Sequence, residues 1–320
     1  MTMNASQRRA RRLAERLGLI AILSISLLAL FPKASLAEAA AGARGLRIFI
    51  SVDMEGVTGV VTPTQLTPTG SEYEHYRAIM TNEVNAAIAG ARKAGATEFV
   101  VADGHGNFQN LLLDSLPKDT KVVRGEPRPL IMMDGIEDGR FDGAMFVGYH
   151  ASSVSLAGVR AHSFSSAVIS ELKVNGVPVS EGYWNAAVAG EFNVPVILAT
   201  GDDVAVAELK PAAKDAELVA VKHAMGFHAA ETLTPQAGAE LIEKAAEKAV
   251  RNSAGRTPFR IKGPVDIDLT FHFYQPAELL AWLPNVQRTG ARSVRFRCAN
   301  MVEATKFLAF ISSYNIGLQP

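Results

Sequence analysis

The sequence predicts an α/β protein, with a largely parallel sheet and flanking helices followed by a smaller C-terminal α+β unit. Two observations carry that expectation. From Leu46 onward, short β-branched and aromatic runs alternate with longer stretches of helical periodicity, the pattern of repeated βαβ units. In addition, 48% of the 320 residues are hydrophobic, which is enough to bury a large core and excludes a disordered or fibrous chain.

The first element is an address. Five arginines precede the apolar run Leu17 to Phe31, and the small-residue end Ser35-Leu36-Ala37 follows it. A basic start, a short apolar centre and an A-x-A-like end make up a secretory signal peptide. The run is shorter than the roughly 18 to 20 residues that span a bilayer. Residues 1–37 therefore read as a signal cleaved after Ala37, and 38–45 as a linker. The expected destination is the periplasm or the medium, with no membrane attachment beyond the export signal. No cysteine lies at the end of the apolar run, so a lipid anchor is not supported.

Residues 46–204 read as the α/β domain. Strands are expected at Arg47 to Val52, Glu98 to Ala102, Gly143 to Val147 and Val194 to Ala199. Between the first two, Glu72 to Ala94 carries Ile79, Met80, Val84, Ala87 and Ile88 at helical spacing, with Gly95 as a stop. Ala167 to Val179 centres on Asn175-Gly176, a favoured hairpin turn, and Glu181 to Ala189 has a helical pattern.

Residues 205–320 read as the smaller α+β domain. Ala205 to His228 is ambiguous. Thr234 to Arg251 is a helix, capped by Thr234 with Pro235 at its first position. Strands follow at Ile261 to Tyr274 and Ser293 to Cys298, and a last helix at Met301 to Ser312.

Charge narrows the function classes. The chain holds 32 basic and 32 acidic side chains, and six of the basic but one of the acidic lie in residues 1–37; the remainder is net acidic by five. A mildly acidic body lacks the electrostatic footprint of a nucleic-acid binder. The single cysteine, Cys298, forms no internal disulfide and excludes a cysteine-rich zinc site.

The informative feature is the position of the reactive residues. The first strand breaks into Ser51-Val52-Asp53-Met54-Glu55-Gly56, the second into Asp103-Gly104-His105-Gly106 and the third into Gly148-Tyr149-His150. In an open parallel sheet the carboxyl ends of the strands share one edge, where ligands bind. Asp53 and Glu55 are two apart, so in extended chain both leave one face, where two buried carboxylates repel unless a cation lies between them. His105 and His150 add neutral imidazoles, and an oxygen and nitrogen set without thiolate suits zinc or a similar first-row ion. Each residue taken alone has a structural reading: Asp53 as a cap, Asp103 as a turn former, His150 as a core residue. Convergence at three strand ends favours a metal.

Spacing alone assigns neither His162, in Val159-Arg160-Ala161-His162-Ser163-Phe164, nor Glu181, whose place in a first helical turn also fits a dipole partner or capping box. His75, His223, His228 and His272 fall away from the strand ends and read as surface or packing residues. Asp202-Asp203, after the fourth strand, is a weaker candidate. Asn185 lies one helical turn after Glu181, and either the crevice or solvent fits that position.

In order and spacing, S-x-D-x-E-G at Ser51 to Gly56, Asp103-Gly104-His105, Gly148-Tyr149-His150, Ala161-His162-Ser163 and the Glu181 segment through Asn185-Ala186 resemble the motifs of the zinc-dependent D-aminopeptidases of the DppA type. The resemblance runs from about Leu46 to about Phe310. It implies a site of two zinc ions per subunit held by Asp53, Glu55, His105, His150 and Glu181, with His162 as catalytic histidine, either nucleophile or base. It also implies short peptide substrates containing D-amino acids, D-Ala-D-Ala among them, and a homo-oligomer, a ring-shaped decamer in the founding type. Two departures stand out: the loop from His150 to His162 is one residue longer, and the signal peptide separates this chain from cytoplasmic members.

Three function classes follow: a metallo-aminopeptidase acting outside the cytoplasm, a metal-dependent amidase of other specificity, and an exported metal- or peptide-binding protein without turnover. A histidine beside the metals that is not a ligand favours the enzymes, with His162 moving a proton rather than attacking carbon.

Overall fold

The computed structural model describes residues 45–137 and 140–314. The signal peptide and nearly all of the linker expected from the sequence lie outside them. Gly45 onward forms one compact unit.

Seven strands build the main sheet: β1 (Leu46–Val52), β2 (Ala96–Asp103), β3 (Thr120–Val123), β4 (Gly143–Tyr149), β7 (Val196–Asp202), β8 (Glu217–Gly226) and β9 (Ala229–Thr232). Their order is β3-β2-β1-β4-β7-β8-β9. All neighbours are parallel except β8 and β9. The expected α/β architecture is present. Strands β1 and β4 are the middle of this sheet, and each is followed by one of the polar clusters. Chain order 1-2-3 runs outward from β1 on one side and 4-7-8 on the other, so the sheet reverses direction between β1 and β4. Ligand sites in open parallel sheets form at such a switch point.

Alternation along β1 sorts the core. Ile48, Ile50 and Val52 face helices α1 (Tyr73–Lys93) and α4 (Pro235–Arg251), where they meet Met80, Val84, Ile88, Ile242 and Ala246. Phe49 faces the opposite way, into a core with Phe146, Tyr149 and Trp184 of helix α2 (Glu181–Glu191). That second core continues into an antiparallel sheet of order β11-β12-β10-β5-β6. Its strands are β5 (Ile169–Val174), β6 (Val177–Pro178), β10 (Val265–Phe271), β11 (Val286–Arg288) and β12 (Ser293–Cys298). The inward residues of this sheet, Ile267, Leu269, Phe271, Val294 and Phe296, close over α2 and α6 (Met301–Ser313).

Local signals behave as the residues dictate. Thr234 accepts a hydrogen bond from the Ala237 amide at the start of α4, with Pro235 at its first position. Asn175 and Gly176 both take positive φ, 51° and 79°, as the two-residue turn between β5 and β6 requires. The ambiguous stretch after Val204 resolves into α3 (Asp203–Leu209) and the edge pair β8 and β9. The second sheet and the edge of the first thus draw strands from both sides of Val204, where the sequence suggested a boundary: the β5–β6 hairpin pairs with β10, while β8 and β9 extend the first sheet.

Candidate active site

Backbone packing sets the floor of the site. The Asp53 amide donates to Val147 O at 2.8 Å and the Gly56 amide to Gly148 O at 2.7 Å, so the chain leaving β1 lies directly against the end of β4. Gly148 permits this approach: its φ is +71°, and a Cβ there would sit 2.3 Å from Asp53 O. Asp53, Glu55 and His150 therefore arrive together from adjacent strands. His105 comes from the end of β2, and Glu181 from the first turn of α2, whose cap is Ser180. The loop after β4 turns back across the same edge and brings His162. Asp202 holds that loop, accepting from the Val159 amide at 2.9 Å while capping α3 through the Ala205 amide at 2.7 Å.

The six candidate residues converge. His105 Nδ1 lies 2.8 Å from Glu55 Oε2 and 3.4 Å from Asp53 Oδ1. His150 Nε2 lies 3.2 Å from Glu181 Oε1 and 3.3 Å from Asp53 Oδ2. His162 Nε2 lies 3.8 Å from Glu181 Oε1, and its ring stacks on that of His150. Two overlapping triads have donor atoms within 4.8 Å of one another, Asp53-Glu55-His150 and His150-His162-Glu181. His150 is common to both.

The tautomers decide what these contacts are. A carbonyl oxygen can only accept, so His150 Nδ1, 2.9 Å from Ala151 O, carries its proton there and turns a bare Nε2 toward two carboxylates. His150 Nε2 and Asp53 Oδ2 are both buried without a hydrogen-bond partner. Likewise His105 Nε2 donates to Leu66 O at 2.8 Å, which leaves Nδ1 facing Glu55. His162 Nδ1 donates to Arg160 O at 2.9 Å and frees its Nε2 for the cleft. Lone pairs facing carboxylate oxygens repel, and buried atoms so placed require extra protons or a cation.

The ionisation of these groups is linked by the same conflict. Burial and the neighbouring Glu55 carboxylate push Asp53 up to about 7. Burial opposes ionisation of Glu55 and Glu181 too, but the His105 and His150 imidazoles facing them hold both below the usual range. Burial works against protonated His105 and His150, yet the carboxylates win. Glu55 and Asp53 raise His105 well above its ordinary value, and Glu181 and Asp53 raise His150 to about 10. His162 goes the other way, lowered by burial and by His150. The set satisfies itself only by sharing protons among acids and bases. A divalent cation resolves the same conflict, and carboxylate oxygens with imidazole nitrogens fit zinc.

The site opens into a cleft of about 430 Å³ walled by Leu66, Phe108, Ile131, Met132 and Phe164, with Asp53, Glu55, His105, His162 and Glu181 at its base. Several sequence candidates serve other ends. Asp103 is consumed locally, accepting from the amides of Asn110 at 2.6 Å and Leu111 at 2.8 Å and from Asn110 Nδ2 at 2.8 Å; this shapes the His105 turn. Asn185 meets neither cleft nor solvent: it is buried, and its Nδ2 donates to the Tyr149 hydroxyl at 3.0 Å. His223 pairs with Asp203 on the surface, and His228 bonds Val61 O at 3.2 Å.

Three contributors escaped sequence reasoning. Lys222 of β8 is buried and donates to Glu55 O at 2.6 Å, Val57 O at 2.9 Å and Val60 O at 2.7 Å. Glu83 of α1 accepts from the Thr58 amide at 2.9 Å. Arg160 lines the cleft. A charged residue inside an otherwise apolar β8 or α1 face was the available signal for the first two.

Residues 46–310 match the model of the peptidase M55 family, D-aminopeptidase. A D-aminopeptidase of Bacillus subtilis (strain 168) is 33% identical over 260 residues, covering 81% of this chain and 94% of that protein. Among solved structures, the Zn-dependent D-aminopeptidase DppA from Bacillus subtilis, described as a self-compartmentalizing protease, superposes with a TM-score of 0.80 at 30% identity. The match covers 85% of this chain and 98% of the other.

Proposed function

Because the chain belongs to the D-aminopeptidase family, we propose that it is an exported, zinc-dependent aminopeptidase that removes the first residue from short peptides, dipeptides with D-amino acids foremost. The observation that carries this reading is the bare His150 Nε2 set between Asp53 and Glu181 at the junction of two donor triads. Asp53, Glu55 and His150 make one of these triads, and His150 with Glu181 makes the ligand part of the other, beside which His162 stands. Asp53, Glu55, His105, His150 and Glu181 hold a pair of zinc ions, and His162 stays outside the ligand set.

When bound, the cations polarise the scissile carbonyl, make water acidic enough to react near neutrality and offset the charge that develops on the carbonyl oxygen. The protein does the rest. Asp53 and Glu181 are steered by backbone amides, Met54 N at 2.8 Å and Phe164 N at 2.6 Å, so their oxygens need no reorganisation. His162, kept neutral and pinned through Nδ1, presents Nε2 as a base that takes a proton from the attacking water and returns it to the leaving amine. The apolar walls limit bulk water around that transfer. The match to a relative described as self-compartmentalizing supports a homo-oligomer.

The test is metal analysis of the purified mature protein, with alanine release from D-Ala-D-Ala and L-Ala-L-Ala measured with zinc and with a chelator. Release from the D-dipeptide that the chelator abolishes is the expected result. A zinc-loaded protein that releases alanine from neither is a binding protein or an amidase of other specificity, and the proposal fails.

A further inference from the structure

We infer that Arg160 is the anchor for the free carboxylate of the substrate, and that this makes the enzyme selective for dipeptides ending in an ionised C-terminus; the inference rests on the aminopeptidase reading above. The cleft is lined by four carboxylates, Asp53, Glu55, Glu126 and Glu181, and by two guanidinium groups, Arg128 and Arg160. A dipeptide is a zwitterion, and its anionic end needs one of the two cations.

Arg128 is already committed. Its terminal nitrogens donate to Val123 O at 3.0 Å and Asp103 O at 2.7 Å, its Nε lies 3.9 Å from Asp134, and its guanidinium covers the Phe108 ring at 4.2 Å. Arg160 is not committed. Both arginines bury an Nε without a hydrogen-bond partner, but among the described residues the terminal nitrogens of Arg160, unlike those of Arg128, make no hydrogen bond and no ion pair. The Arg160 guanidinium carbon stands 5.0 Å from the Phe227 ring. Stacking occupies the face of the group and burial encloses Nε, which leaves the two terminal nitrogens to meet a carboxylate end-on in bidentate geometry.

The backbone is arranged for this placement at a cost. Arg160 has φ +53°, the left-handed region that a residue with a Cβ seldom adopts, and Phe164 on the far side of His162 has φ +58°. Strained positions of this kind gather at functional sites. The Arg160 amide is tied to Phe227 O at 2.9 Å and its carbonyl accepts from His162 Nδ1 at 2.9 Å. One residue thus orients the proton-transferring histidine with its backbone and offers a cation with its side chain, so that the two ends of a short substrate are registered together. A longer peptide would carry its carboxylate past this point.

The experiment compares kcat/KM for D-Ala-D-Ala and for its C-terminal amide in the zinc-loaded full-length mature enzyme and in R160M and R160K. The wild type is expected to prefer the free acid at least tenfold. R160M is expected to reduce the acid-to-amide ratio by about 10- to 100-fold, the worth of a charge-assisted hydrogen-bonded pair, mainly through KM. R160K keeps the charge without the fork and should retain part of the preference. Equal use of acid and amide by the wild type overturns the proposal without any variant being needed, as does a ratio that R160M or R160K leaves at the wild-type value. If the wild type cleaves neither compound, the aminopeptidase reading itself fails and this inference with it.

Discussion

The imidazole rings of His150 and His162 stack 4.0 Å apart and within 9° of parallel, yet their protons are governed in opposite senses. His150 faces Glu181 and Asp53, which outweigh its burial and raise it to about 10; His162 is lowered by burial and by the positive charge of its neighbour. Two like side chains in contact are thereby separated: the carboxylates around His150 favour a positive charge at its Nε2, whether proton or metal ion, while His162 stays neutral and fit to act as a base. Divergent environments of this kind mark acid and base assignments in active sites.

The His162→Ala variant should therefore keep its zinc and lose about 10²-fold or more in kcat. Metal content by mass spectrometry and turnover of D-Ala-D-Ala, read on the same preparation, check this. Loss of zinc together with activity would make His162 a ligand, as its place in the second triad allows.

The acid limb of the kcat/KM profile should report His162. Its neutral form is the competent one and its protonation lies below the ordinary 6.5, so activity should hold through neutrality and fall only as the pH drops further. In His162→Ala the residual activity should lose that limb. A limb that persists unchanged assigns it to another group.

Metal-free protein should become less stable as the pH rises from 6.5 to 8. His105 and His150 have folded values above their unfolded ones, so their stabilisation is complete below about 6.5 and is lost as the pH climbs toward the folded values. Asp53, raised to about 7, adds the same sign at the lower end of this window. Glu55 and Glu181, held low, are ionised in both states there and contribute no slope, and Lys222, lowered to about 8 by burial, opposes the trend only above it. The expected slope is ~1.4 kcal/mol per pH unit for each histidine. Denaturant melts of chelated protein should show it and zinc should flatten it; a chelated protein with a flat profile would contradict the assignment.

Replacing Lys222 with Met should weaken zinc binding about 10- to 100-fold, the usual consequence of removing a group that orients a ligand. Its ammonium gathers the carbonyls of Glu55, Val57 and Val60, and Glu83 takes the Thr58 amide of the same turn. Stability of the metal-free protein should also fall by about 1–3 kcal/mol as carbonyls lose their donor. Competition with a chromophoric chelator measures the first effect separately from the second. A destabilised variant with wild-type zinc affinity would confine Lys222 to holding the fold.

How much of this could be read from residue order depends on distance along the chain. Apolar runs that stop at Asp53, Asp103 and Tyr149 mark both the strands and the edge they share, because a parallel sheet aligns the ends of its strands whatever lies between. Hairpin turns and caps such as Asn175-Gly176 and Thr234 are equally local. The partner of a strand is not: nothing around Ile169 states that it will pair with Phe271 rather than extend the first sheet. The fate of a side chain is no more local, since Asp103 resembles a ligand until Asn110 folds back onto it, and Asn185 resembles a crevice residue until Tyr149 claims its amide. Arg160 acquires meaning only when its loop returns over the edge and Arg128 is found already bonded. Lys222 lies in the stretch from Ala205 to His228 that the sequence leaves ambiguous.

The two kinds of scaffold around the cleft have unequal freedom to change. Asp53 and His150 follow the two innermost strands of the sheet, clamped backbone to backbone where Gly148 allows no Cβ, so a replacement there disturbs everything beneath. Arg160, His162 and Phe164 ride on a returning loop whose left-handed residues are tethered at a few points. Side chains on that loop can therefore be exchanged to change which peptide is accepted, provided its backbone still holds His162 and the Glu181 carboxylate in place.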